Sequence, residues 1–297
     1  MHDPDPAFMH PFRSYDEIRN FPLDEGDVLI QGYPKSGTNW MQVILANLWD
    51  DWSMLAGELK QVPHLTGRSD RPNYCGYSAC LAFGTPRLMK THLPVDLFPR
   101  RWPRYGKVVH VIRNPKDTVV SFYHQVQGGL SQTHPESPFA LPENATLHDF
   151  VLRFVAGTVP YGLYTTNAIG WHNVEHPNLL KISYEQAKMD ALGTVRTIAQ
   201  FVGKPVSEER IRKVVAMTDF DAIKSSDLRH QINLPTLREG SDDPVPYLRK
   251  GIVGGWKDSL SVADSELLDE TVVAELERNG LHLIYEPEGL SVKSGTS

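Results

Sequence analysis

The chain has 297 residues, 22 % charged and 40 % hydrophobic, a balance that excludes disordered and membrane-embedded polymers and suffices to bury a sizeable core. Thirty Lys and Arg against 36 Asp and Glu leave a net charge of −6, which argues against a general affinity for nucleic acid but leaves room for a local basic pocket around a small anion.

The N-terminal MHDPDPAFMHPF lacks a basic n-region and an apolar h-region, and no later run approaches the roughly 18 apolar residues of a spanning helix. A cytoplasmic protein with no membrane partner is expected. DVLIQGY (27–33), short, apolar and bounded by Gly26 and Pro34, predicts a buried strand. From Thr38 onward Trp40, Met41, Ile44, Leu45 and Leu48 recur at helical spacing, which makes a strand–loop–helix unit. PRLMKTH (86–92) and KVVHVIR (107–113) predict further strands, the second followed by a helix from Asn114 with Pro115 in its first turn. Further helices are predicted at 147–156, 186–202 and 264–278, and a fourth strand at 178–184. Strands alternating with helices imply an α/β fold, a central mainly parallel sheet flanked by helices on both faces. No Gly/Ser-rich linker or repeat divides the chain, so 1–297 reads as a single domain with its core at about 15–284. The loop-rich stretches 54–83 and 225–249 read as pocket walls or lids. Cys75 and Cys80 match no CxxC or zinc spacing and read as reduced thiols, and the sequon at Asn144 reads as a chance match.

The loop YPKSGTNW joins the first strand to its helix. A Gly-containing turn there aims backbone N–H groups and the positive end of the helix dipole at one point, where an anion belongs. Lys35 adds a positive charge, and Ser36 and Thr38 add hydroxyl donors. A Walker A loop places its lysine after the last glycine, whereas Lys35 precedes Ser36-Gly37-Thr38, so the order is wrong for an ATPase.

YPKSGTNW instead resembles the 5′-phosphosulfate-binding loop of the cytosolic sulfotransferases. VIRNPKDTVVSFYH, with Arg113 and Ser121, is similar to the family's second signature, and KTHLP (90–94) stands where the family carries its catalytic histidine. LLKISYEQAKMD resembles the adenine-contacting tyrosine segment, and LRKGIVGGWKDSL the loop that closes over the nucleotide. The motifs keep the family's order over about 15–284. Two positions depart from it: Asn39 replaces the second threonine of the phosphosulfate loop, and Gly255 replaces the usual aspartate of the closing GDWK.

The resemblance implies a P-loop-like fold, 3′-phosphoadenosine 5′-phosphosulfate (PAPS) as donor co-substrate and the desulfated PAP as product, without a metal. Sulfuryl transfer, like phosphoryl transfer, depends mostly on positioning and charge stabilisation. Lys35, with the loop from Ser36 through Gly37, Thr38 and Asn39 to Trp40, is expected to hold the leaving 5′-phosphate. His92 is expected to act as general base and Lys90 to bind the sulfuryl oxygens. Arg113 and Ser121 would hold the 3′-phosphate, with Arg249, Lys250 and Gly251 closing the clamp, and Trp40, Tyr184 and Phe220 would enclose adenine. Trp52, Leu55, His64, Tyr74, Tyr77, Phe122 and Tyr123, with the 225–249 loop, are expected to line an apolar pocket, with one polar contact near His92, for a small lipophilic hydroxyl or amine acceptor. Two alternatives share the fold: sulfation-driven dehydration, and a non-catalytic binding relative, against which retention of Lys35 and His92 speaks. A Golgi enzyme would carry an N-terminal anchor, which the sequence lacks. KDSLSVADSE (257–266) resembles the family's dimerisation segment, with Lys257, Val262 and Glu266 matching and Ser261 in place of threonine, and implies a weak homodimer.

Overall fold

The computed structural model describes residues 15–48, 62–66, 76–82, 84–133, 135–226 and 249–286. Among them, four strands form one parallel sheet in the order β2-β1-β3-β4. These are β1 Asp27–Gln31, β2 Leu88–Thr91, β3 Gly106–Ile112 and β4 Leu179–Ser183, each within two residues of its predicted ends. β1 is buried along its whole length because both faces are covered, which is why it reads as a continuous apolar run. Successive side chains alternate between the faces. Val28, Ile30, Val109 and Val111 pack with Met41, Ile44 and Leu45 of helix α1, Thr38–Leu48. On the other face Leu29, Met89 and Val108 pack with Phe21, Phe98 and Trp171.

Helix α2, Pro115–Gln125, starts where predicted: the Asn114 side chain accepts from the Asp117 N–H and Pro115 occupies the first turn. Helix α3, Leu147–Val155, is entered through a capping box of Thr146 and Asp149. Helix α4, Tyr164–His172, was not anticipated; Tyr164, Asn167, Ala168 and Trp171 share one buried face, but the polar Asn167 and the adjacent buried Thr165 break its apolar pattern. The single helix expected at 186–202 is two, α5 Tyr184–Met189 and α6 Ala191–Val202. Asp190 leaves helical geometry between them, and its carboxylate accepts from the Gly193 N–H to cap α6. Also unanticipated are α7, Glu208–Met217, and the short α8, Phe220–Ser225. The helix expected at 264–278 starts earlier, as α9 Val262–Leu268, and runs through a π-helical stretch, Asp269–Val273, into Ala274–Arg278. Cys80 is buried, while Cys75 lies outside the described residues. Among the described residues no helix is long and apolar enough to cross a membrane.

The sheet order positions the site. From β1 the chain crosses to β2 on one side, and from β3 it crosses to β4 on the other, so the segments leaving β1 and β3 diverge. Such a switch point opens a crevice at the carboxyl ends of the strands, between the loop after Gln31 and the residue after Ile112.

Candidate active site

The loop from β1 to α1 is shaped by close approaches. A Cβ on Gly32 would lie 2.5 Å from the Val111 carbonyl oxygen, so only glycine lets β1 leave the sheet beside β3. Gly37 has φ +106, and its missing Cβ would meet the Tyr184 ring at 2.6 Å. Lys35 has φ +70, a left-handed conformation that costs a non-glycine residue about 1–2 kcal/mol and that recurs at functional sites. Ser36 is fully buried, and its hydroxyl oxygen has no hydrogen-bond partner among the described residues. The first turn of α1 contains no acidic residue, so nothing on the helix itself offsets the positive end of its dipole.

Arg113, the residue after β3, spans the crevice. Its guanidinium carbon lies 4.4 Å above the Tyr184 ring, Nη1 donates to the Lys35 carbonyl at 3.4 Å and Nη2 to the Ile252 carbonyl at 3.0 Å. Its Nε is buried without a partner among the described residues, and Asp117 lies 3.7 Å from Nη2. Asp117 also accepts from the N–H groups of Gly254 (2.8 Å) and Trp256 (3.0 Å), so α2 anchors the 249–256 segment beside Arg113. Buried Glu185 accepts from the Asn114 N–H at 2.8 Å and so fastens the end of β4 to the exit of β3. Neither carboxylate stood out in the sequence: Asp117 is four residues from Arg113, but its bonds to Gly254 and Trp256, like the approach of Glu185, come only with the fold.

Trp40 and Tyr184 meet edge to face at 5.6 Å, and the Trp40 indole N–H donates to the Thr218 carbonyl at 2.9 Å. Phe220 packs on Gly251, which has φ +64 and where a Cβ would lie 2.2 Å from the ring. The Tyr184 hydroxyl donates to the Gly251 carbonyl at 3.3 Å. A cleft lined by Lys35, Gly37, Thr38, Asn39, Trp40, His92, Arg113, Ser121, Tyr184, Phe220 and Gly251 brings these expected residues together. Lys188, Thr218 and Ile223 line it too and were missed, since a lone lysine on a helix or a threonine just past a helix end gives no signal by itself. Lys188 Nζ sits 5.3 Å from the Trp40 ring. Ser121 lies well inside α2, not near its start, because the helix begins at Pro115.

Lys90 donates to the Asn39 side-chain carbonyl at 2.8 Å and to that of Gln42 at 3.0 Å, so Asn39 faces the lysine with its acceptor. Lys250 pairs with Asp258 at 2.8 Å on the exposed side. Burial, together with Arg113, Lys90 and Arg249, pushes the Lys35 ammonium down to about 7. Burial lowers Lys90 to about 8, and burial and the neighbouring Arg113 lower Arg249. Cations gathered this closely repel one another, and an anion relieves that repulsion.

His92 shares the cleft. Its Nδ1 lies 2.6 Å from the Gly32 carbonyl, and a carbonyl only accepts, so Nδ1 carries the proton and Nε2 keeps its lone pair. Burial and the charges of Lys90 and Lys35 lower the ring to about 3 against the raising effect of the Gly32 bond, so it is neutral at pH 7. His64 (5.0 Å) and Tyr161 (5.1 Å) flank its ring, and Thr66 Oγ1 lies 3.2 Å from His64 Nδ1 and 3.5 Å from the Tyr161 hydroxyl. The surroundings of His92 are therefore more polar than the expected apolar pocket. Of the other residues expected there, Trp52, Leu55 and Tyr74 lie outside the described residues. Phe122 packs in the core between Tyr33 and Phe150, Tyr123 donates to the Ala145 carbonyl, and Tyr77 packs edge-on to Phe21.

A family profile described as the sulfotransferase domain matches residues 25–280. The chain belongs to the sulfotransferase family. It is 30 % identical to mouse sulfotransferase 1B1 over 264 residues, covering 86 % of this chain and 84 % of that one. With rat sulfotransferase 2B1 it shares 33 % identity over 261 residues, or 83 % and 69 % of the two chains. The fold is similar to that of retinol dehydratase in complex with androsterone and PAP, with a TM-score of 0.71, 24 % identity and coverage of 90 % and 85 %. A mouse sulfotransferase, SULT7A1, complexed with PAP gives a TM-score of 0.69 at 24 % identity, with 88 % of each chain covered. Membership of this family makes sulfuryl transfer the activity against which the cleft is to be judged.

Proposed function

We propose that the protein transfers a sulfuryl group from PAPS to a hydroxyl or amine of a small lipophilic acceptor and releases PAP. The observation that carries this reading is the fixed tautomer of His92, a residue that lines the same cleft as Lys35 and Arg113. His92 takes the acceptor proton at Nε2 as the acceptor oxygen bonds to sulfur. Lys35, with the loop amides and the Ser36 hydroxyl, receives the charge left on the 5′-phosphate when its bond to sulfur breaks. Lys90, tethered by Asn39 and Gln42, adds positive charge beside the transferred group. Arg113 and Ser121 hold the 3′-phosphate, Arg249, Lys250 and Gly251 close over it, and Trp40, Tyr184 and Phe220 flank adenine. Lysines supply the charge that a metal supplies in kinases. Residues 15–284 act as one catalytic unit, in the cytoplasm, with no nucleic-acid or membrane partner.

The test is incubation with sulfur-labelled PAPS and a panel of alcohols, phenols and amines, followed by mass spectrometry. A stable labelled ester supports the reading. Loss of water from the product redirects it to dehydration, and PAP binding without label transfer leaves a non-catalytic relative.

Arg113→Ala is expected to weaken PAPS and PAP alike, by roughly ten- to a hundredfold, because a hydrogen bond to a charged group contributes about 1.5–3 kcal/mol. Unchanged PAP affinity by calorimetry sinks the 3′-phosphate assignment.

The homodimer is proposed through 257–266. Ser261 caps α9 and Val262 next to it is 75 % exposed, an apolar side chain offered to solvent. Lys257 pairs within the chain with Glu286 at 2.6 Å, while Glu266 is exposed. A two-fold axis brings two Val262 side chains together over less than the roughly 1,200 Å² of a stable complex. Val262→Glu is expected to yield an active monomer, since it sets two like charges against each other. Sedimentation showing a monomeric parent, or an unchanged dimer in the variant, overturns this.

A further inference from the structure

Gln31, His110 and Asn167 have no part in the chemistry assigned above, yet all three are buried. Strand register places Thr91, Gln31, His110 and Lys181 side by side, a polar row across the carboxyl end of the sheet. Buried polar groups are costly unless hydrogen-bonded. Here the bonds lead to the segment that carries His92.

β2 ends at Thr91, so the sheet ladder stops one residue short of His92. Asn167 Nδ2 donates to the His92 carbonyl at 3.0 Å. The next carbonyl, of Leu93, accepts from Gln31 Nε2 at 2.9 Å and from the Trp171 indole N–H at 3.1 Å, and the Leu93 N–H donates to Thr91 Oγ1 at 3.3 Å. Gln31 Nε2 also donates to Asn167 Oδ1 at 3.2 Å, which uses both amide protons and leaves Gln31 Oε1 as an acceptor. His110 Nδ1 contacts that oxygen and therefore carries the proton, while its ring stacks on Trp171 at 5.7 Å and 18°. The bonds and the stacking close a ring of contacts: His110 to Gln31, Gln31 to Asn167 and Leu93, Leu93 to Trp171, and Trp171 back to His110.

We infer that Asn167, Gln31 and His110 form a positioning scaffold that holds the His92 main chain, and through it the direction of the Nε2 lone pair. The inference rests on the assignment of His92 as base. Imidazole orientation depends on one short bond to Gly32, and a shift of the His92 backbone breaks it. The scaffold holds the His92–Leu93 backbone directly from β1 and α4, and His110 on β3 braces Gln31 and Trp171 from behind. A network in which every member is satisfied also specifies a single arrangement of its parts, which a purely apolar row would not.

The test compares Asn167→Ala, Gln31→Met and His110→Phe with the parent, below their melting temperatures, for kcat, KM, PAP affinity and thermal stability. Asn167→Ala is expected to lower kcat by about ten- to a hundredfold, the scale of a misplaced reacting group, with PAP affinity unchanged. Gln31→Met should lose less and His110→Phe least, following their distance from His92 along the network. Nitrogen-15 spectra of the His92 imidazole should show the single Nδ1–H tautomer in the parent and a mixture in Asn167→Ala. In a His92→Ala background Asn167→Ala should cost no further rate. His110→Phe keeps the ring on Trp171 and serves where Gln31→Met does not fold. Variants that lose thermal stability but keep kcat within twofold and a single tautomer overturn the inference and leave a structural role only. Turnover retained by His92→Ala instead overturns the base assignment and this inference with it, so the two failures are distinct.

Discussion

Removal of the imidazole in His92→Ala is expected to lower kcat by about 10²–10⁴-fold while PAP binds as before, because the base touches the acceptor and not the nucleotide phosphates. Calorimetry with PAP and single-turnover transfer from PAPS separate the two effects, and a variant that keeps most of its turnover removes His92 from the mechanism. The pH dependence has a definite sign. His92 is lowered to about 3, so the active neutral form persists in the free protein down to that region and is lost as pH falls through it. Lys90 and Lys35 contribute to that lowering, and an anionic donor offsets their charge. The acid limb of kcat, which reports the complex, should therefore lie at higher pH than that of kcat/KM, which reports the free protein.

Lys35→Ala is expected to reduce kcat by about 10²–10³-fold, the scale of losing one preorganised donor at a developing negative charge. KM should change little, since the loop amides and Arg113 still hold the phosphates. A rise in KM alone makes Lys35 a binding residue. A second readout needs no turnover. With its ammonium lowered to about 7, Lys35 is mostly neutral in the free protein at about pH 8, and a bound phosphate raises it again. PAP binding at that pH should take up protons in the parent and fewer in Lys35→Ala, measured by calorimetry in buffers of different ionisation enthalpy.

The strands were legible because parallel strands covered on both faces become apolar runs bounded by Gly and Pro, as at 27–33. The break at Asp190 was not, because apolar spacing continues from α5 into α6 and only a cap marks the join. Helix α4 was hidden for the opposite reason: its one buried face mixes Asn167 and Thr165 with Tyr164 and Trp171, so apolar spacing does not mark it. Lys35, His92, Arg113 and Tyr184 lie in contiguous motifs that keep the family's order, which is why the sequence pointed to residues that line one cleft. The link from Gln31 to His110 depends on strand register, which no local pattern encodes. The same holds for Asp117, whose hold on Gly254 and Trp256 spans more than a hundred residues.

The cleft is assembled from distant pieces: Arg113 reaches the Ile252 carbonyl across 139 positions, and Trp40 reaches Thr218 across 178. A fragment lacking either end lacks these contacts. The entropy of closing such loops is offset only by the packing of the segments between them. Nucleotide occupancy therefore reports that the whole chain is folded. PAP at a hundred times its Kd should stabilise that folded chain by about 2.7 kcal/mol, an effect shared by residues far from any phosphate.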